Sequence, residues 1–133
     1  MPLSTIEFEK RGSVAEIRLN RPEKLNAINS IMIDELESDF NKSELDENIR
    51  VILLSGNGRA YSAGFDFDIG SPPEEISESE FMEQELKRSF DLIMRFWDCP
   101  IPTIAAVHGY CLGSSMEISA ACDITIASED CRF

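Results

Sequence analysis

Polar and apolar residues alternate over Ile6-Glu7-Phe8-Glu9-Lys10 and again over Val14-Ala15-Glu16-Ile17-Arg18-Leu19, with Arg11-Gly12-Ser13 between. A period of two turns one face of each strand to a core and the other to water, so these segments are expected to pair as an antiparallel hairpin. Asn20 to Ala27 follows as a loop, because Pro22 cannot continue strand pairing. After Ser30 the period changes. Ile33, Leu36 and Phe40 recur at helical spacing, Asp34 and Glu35 favour the first turn, and a helix is expected from Ser30 to Asn48. Arg50-Val51-Ile52-Leu53-Leu54-Ser55 holds an unbroken apolar run, which suits a buried parallel strand. Strand, helix and strand together make a β-α-β unit with a right-handed crossover.

Residues 70–76 are expected to form an exposed, mobile connection. A capping box from Ser77 to Glu80 then opens a second helix with Met82, Leu86, Phe90, Ile93 and Trp97 along one face. These are expected to be core positions rather than a cofactor box. Pro100 and Pro102 close the helix region and lead into a strand, Thr103 to Val107. A turn of small residues, a short apolar helix over 114–122 and a strand from Asp123 to Ala127 complete an α/β order without internal repeats.

Composition narrows the function. A chain of 133 residues is about one domain. The net charge of −13 excludes phosphate-backbone and anionic-membrane binding, which need clustered Lys and Arg. An anionic ligand would have to be held by local dipoles and a few placed cations. The acidic stretches Asp34–Glu47 and Glu74–Glu85 are expected to be solvated helix faces. No run approaches the ~20 apolar residues of a membrane span. Met1-Pro2-Leu3-Ser4-Thr5 lacks the basic and apolar regions of a signal peptide, so a cytoplasmic location is expected. Cys99, Cys111, Cys122 and Cys131 lack metal-ligand spacing; they are expected to be reduced small hydrophobes, and no metal is expected.

The chemistry concentrates in Gly109-Tyr110-Cys111-Leu112-Gly113-Ser114-Ser115-Met116-Glu117. A lone carboxylate in an otherwise uncharged helix is rarely there for packing. The small residues before it place N–H groups at a helix N-terminus, where developing negative charge is stabilised. A second turn of small residues, Ala63-Gly64-Phe65, follows the apolar strand at the end where α/β proteins place ligands. The glycines around it lack the Gly-Lys-Ser/Thr ending of a phosphate loop. His108 is expected to make a structural hydrogen bond, and Asp66 and Asp123 to serve as turn or cap residues.

Three stretches, Asn20–Ala27, Arg59–Asp66 and Val107–Glu117, together with Ala121-Cys122-Asp123-Ile124, resemble the crotonase, or enoyl-CoA hydratase/isomerase, superfamily in order and spacing. The resemblance implies an α/β spiral of repeated ββα turns that binds acyl-CoA thioesters. It implies that residues 1–133 are the N-terminal portion of such a domain, ending before a helical region that closes the pocket and supports trimers. The backbone N–H groups of Phe65 and Ser114 then hold the thioester oxygen, and Glu117 matches the first of two glutamates with which hydratases add water to a 2-enoyl-CoA. Lys24, Leu25, Ala27, Ala63, Gly64, Asp66 and Gly113 match substrate- or CoA-binding positions. Coenzyme A enters only as part of the substrate, and no separate cofactor is implied. The second glutamate would lie a few residues beyond Phe133, so this portion alone is expected to be inactive. An isomerase, a thioester hydrolase and a non-catalytic acyl-CoA-binding scaffold remain alternatives.

Four residues depart from the family pattern. Ser114 and Ser115 stand where it usually has glycine; if position 114 takes a positive φ, serine costs on the order of 1 kcal/mol there. Phe65 replaces a small residue, keeping its N–H but narrowing the acyl pocket. Asp68 stands where hydratases often carry a lysine near the CoA phosphates. Apolar surroundings are expected to enclose Glu117 and lift its carboxyl toward the range of a general acid–base, against the pull of the helix N-terminus.

Overall fold

A computed structural model describes residues 4–133. Met1, Pro2 and Leu3, part of the segment compared above with a signal peptide, lie outside the described residues. Strands β1 (Ile6–Arg11) and β2 (Val14–Leu19) pair antiparallel, as their alternation predicts, with Gly12 turning the chain between them at φ +58°. Strands β3 (Val51–Gly56), β4 (Thr103–Val107) and β5 (Ile124–Ala127) add on in parallel, giving one sheet in the order β1-β2-β3-β4-β5. Each parallel step is bridged by a helix: α1 (Ser30–Leu45), α2 (Glu78–Trp97) and α3 (Ser114–Ala121). Parallel strands need such crossovers, because no tight turn can join them.

The two faces of the sheet differ. Ala15, Ile17 and Leu19 are buried on one, while Glu16 and Arg18 point to the other. There Arg18 meets Glu7, Glu9 and Glu16 at 2.7–3.3 Å, and Arg11 meets Glu9 and Glu16. Strand β3 is less enclosed than its unbroken apolar run suggests. Ile52 and Leu54 are buried, whereas Val51 and Leu53 are only half-buried on the ionic side.

Helix α1 begins where the Asn29 side chain accepts the Met32 N–H at 2.9 Å. Its stripe of Met32, Ile33, Leu36 and Phe40 is buried against the sheet. Helix α2 begins with the expected capping box, Ser77 and Glu80 satisfying each other's backbone N–H groups. Its burial contradicts the expectation, however. Met82, Leu86, Phe90 and Trp97 are exposed, Ile93 is half-buried, and only Leu92 and Phe96 are fully enclosed. The 3.6-residue period places these side chains on one face of a helix without saying what that face meets. The two helices join where Phe96 meets the edge of Phe40, centroids 4.7 Å apart at 78°. Arg95 completes that junction, 3.1 Å from Glu37 and also bound to Glu44.

Strand β5 is an edge strand and exposed along its whole length, including Ile124 and Ile126. All four cysteines are free; Cys111 and Cys122 are buried, and Cys99 and Cys131 are partly so. No helix among the described residues is long and apolar enough to cross a membrane.

Candidate functional site

The site is built from two loops that the sheet delivers to the same end. The first, Asn20–Ile28, follows β2 and contains one turn of 3-10 helix, Pro22–Lys24. The second, Asn57–Asp66, follows β3. They run side by side: the Ala63 N–H donates to the Leu25 carbonyl at 2.9 Å, Ile28 N–H to Gly64 at 2.8 Å, and Asp66 N–H to Ile28 at 2.9 Å. Lys24, Leu25, Ala27, Ala63, Gly64 and Asp66, matched to one binding surface by sequence, therefore do come together.

Asn26 is the brace between these loops. It is fully buried, accepts the Arg21 N–H at 2.7 Å and donates to the carbonyls of Asn57 and Ala60 at 2.8 and 2.9 Å. To reach them, Leu25 and Asn26 both take left-handed backbone, φ 51° and 53°. Asparagine is among the few residues that tolerate this conformation, which is the signal the sequence offered; Leu25 offered none. Ser62 and Ser115 are the other positioning residues missed. The Ser62 hydroxyl donates to the Asn26 carbonyl at 2.8 Å and accepts the Gly64 N–H at 3.0 Å. The Ser115 hydroxyl, buried, lies 2.8 Å from the Ser62 carbonyl and ties the second loop to α3.

The third segment, His108–Gly113, leaves β4 and crosses the second loop closely. Tyr61 N–H donates to the His108 carbonyl at 2.8 Å and Ser62 N–H to the Tyr110 carbonyl at 3.0 Å. At Gly109, φ +60°, a Cβ would lie 2.0 Å from the Arg59 carbonyl oxygen, so the crossing requires glycine. His108 holds the Gly58 carbonyl through Nε2 at 2.7 Å, a structural contact as expected. Asp123 likewise accepts the Thr103 N–H, at 2.7 Å.

Gly113, not Ser114, takes the left-handed backbone at the entrance of α3, with φ +56°. Ser114 is the first helical residue, so serine carries no φ penalty there. Its N–H has no partner among the described residues. Its hydroxyl accepts the Phe65 N–H at 2.7 Å. The two amides matched to the oxyanion positions thus face one another across the junction, but one is already engaged. Gly64 is where the loops touch: at φ +95°, a Cβ would lie 2.8 Å from the Leu112 carbonyl and 3.2 Å from Ser114 Oγ.

These groups open onto a cavity of about 450 Å³. Phe65, Ser114 and Glu117 line one side, and Met82, Leu86 and Phe90 of α2 supply an apolar wall. Phe65 is half-buried and packs partly against the core. Glu117 projects from the first turn of α3 and is exposed, so the apolar enclosure expected around it is not provided by the described residues. Asp66, Asp68 and Glu85 also border the cavity, with no Lys or Arg among its lining residues. The Asp66 carboxyl is held below the usual carboxylate range by the Asp68 N–H, then by Arg21 3.1 Å away and by the charge of Lys24. An acidic rim with apolar walls suits an uncharged acyl chain better than a phosphate.

Strands β2 to β5, parallel and joined through single helices, thus bring two N–H-bearing loops together beside a carboxylate. The sequence profile described as enoyl-CoA hydratase/isomerase matches residues 9–133. The chain belongs to this family, the crotonase superfamily, and has its α/β fold. It is 34% identical to the human mitochondrial Delta(3,5)-Delta(2,4)-dienoyl-CoA isomerase over 90% of its own length and 39% of the relative's. It is also 34% identical to the short-chain-enoyl-CoA hydratase of Clostridium acetobutylicum, over 100% of this chain and 50% of that one. The crystal structure of an enoyl-CoA hydratase/isomerase from Xanthobacter autotrophicus Py2 superposes with a TM-score of 0.88 at 39% identity, over 98% of this chain and 48% of that one. The chain therefore spans about half the length of these relatives.

Proposed function

We propose that this chain supplies the acyl-CoA site of an enoyl-CoA hydratase that adds water across the 2,3-double bond of a 2-enoyl-CoA. The observation behind this reading is the meeting of the Ala63-Gly64-Phe65 turn with the N-terminus of α3 at a cavity bordered by Glu117. The acyl chain lies along the apolar wall of α2, and the thioester oxygen faces the Phe65–Ser114 junction. As water attacks C3, Glu117 takes its proton, and the electron pair of the double bond moves toward the thioester oxygen. Charge develops there in front of fixed donors and the positive end of α3. The proton returned to C2 comes from a second acid, expected beyond Phe133. Coenzyme A is part of the substrate, its adenine end lying against Lys24–Ala27 and Ala63–Gly64, and the assembly expected is a trimer-based homo-oligomer. A double-bond isomerase is the second reading, because the human isomerase is as similar, at 34% identity, as the clostridial hydratase.

Crotonyl-CoA hydration by the product of the complete gene tests the assignment. Glu117→Gln keeps the shape of the side chain and removes its basicity, and is expected to lower kcat by about 100-fold or more. Undiminished turnover in that variant sinks the role of Glu117. Conversion of a 3-enoyl-CoA without hydration selects the isomerase.

A further inference from the structure

We propose that the Ser114 hydroxyl, rather than the Phe65 amide, is the donor that meets the thioester oxygen beside the Ser114 N–H. This rests on the acyl-CoA reading and deepens it. With Ser114 Oγ 2.7 Å from the Phe65 nitrogen, the acceptor position in front of that amide is filled by the protein's own oxygen. A serine hydroxyl accepts through its lone pairs and still has one hydrogen to give. No acceptor for that hydrogen is found among the described residues, and Ser114 lines the cavity. Its backbone N–H, at the first position of α3, is also without a partner among them. One residue therefore presents two donors to the cavity.

Phe65 is then a positioning residue. Its amide holds the hydroxyl in place and polarises the O–H, since successive hydrogen bonds in a chain strengthen one another. Gly64 backs closely onto this hydroxyl: a Cβ there would come within 3.2 Å of Oγ. The oxygen of the substrate sits one hydroxyl further from Phe65 than direct amide contact would place it. Glu117 projects from that same turn of α3.

The test compares Ser114→Ala and Ser114→Gly with the unaltered protein, each made from the complete gene. Loss of one oxyanion donor is expected to lower kcat by about 100-fold in both variants. The bound thioester carbonyl should shift to higher infrared frequency, as it loses a hydrogen bond. Affinity for an S-alkyl-CoA thioether, which has no carbonyl oxygen, should stay within about twofold of that of the unaltered protein. Turnover that equals or exceeds the unaltered rate would show the hydroxyl to be a plug over the Phe65 amide and overturn the proposal. A parallel loss of thioether affinity would make Ser114 purely structural and overturn it equally. If the unaltered protein neither binds nor turns over acyl-CoA, the acyl-CoA reading falls, and this proposal with it.

Discussion

Helices α1 and α2 look alike along the chain and behave differently in the fold. Both carry an apolar stripe at helical spacing, and that of α2 contains the larger side chains. Yet α1 buries Met32, Ile33, Leu36 and Phe40, whereas α2 buries only Leu92 and Phe96. The difference lies in what each stripe meets. Helix α1 lies on the sheet, where each side chain of the stripe displaces water from another. Helix α2 touches the core near its C-terminal end and turns Met82, Leu86 and Phe90 to the cavity. An apolar stripe is thus evidence that a face is used, not evidence that the face is core.

The comparison breaks most sharply at the one place where both helices are core. Phe96→Ala removes a fully buried ring and its edge contact with Phe40, and should cost about 3–5 kcal/mol in urea unfolding. A loss under about 1 kcal/mol would mean that the α1–α2 junction does not hold α2. Ser77→Ala opens the capping box and should cost about 1 kcal/mol, read from the same curves. The smallest stability effect is expected at Phe90, which is 61% exposed. Phe90→Ala should change stability by less than about 0.5 kcal/mol. It should weaken binding of a long-chain acyl-CoA more than of a short-chain one, as measured by calorimetry; equal weakening of both would remove α2 from the acyl wall.

Much of the fold was legible because local signals agreed with one another. The alternation of residues 6–10 and 14–19 led to the β1–β2 hairpin, and the Ser77–Glu80 box marked the start of α2. The loop pairing was legible only as a set of motifs. Its physical basis, the left-handed Leu25 and Asn26 with the buried Asn26 side chain, depends on backbone groups 31 to 34 residues away. The same limit applied at α3. Sequence pointed to a small-residue turn before Glu117, but could not say that Gly113 would absorb the unusual φ and leave Ser114 helical. Nor could it show the Ser114 hydroxyl on the Phe65 amide, which joins residues 49 apart. The exposure of Glu117 was missed because enclosure is set by whatever packs over a helix, not by the helix itself.

The bracing role of Asn26 also bears on how this sequence can drift. Its partners, Arg21 N–H and the carbonyls of Asn57 and Ala60, are all main-chain atoms. Main-chain atoms do not change when a codon does, so substitutions at Arg21, Asn57 or Ala60 leave the partners of Asn26 in place. Aspartate has nearly the same shape but would set an acceptor against two carbonyls, and leucine would strand all three groups. Position 26 is therefore a fixed point whose bonds do not depend on which side chains stand at 21, 57 and 60.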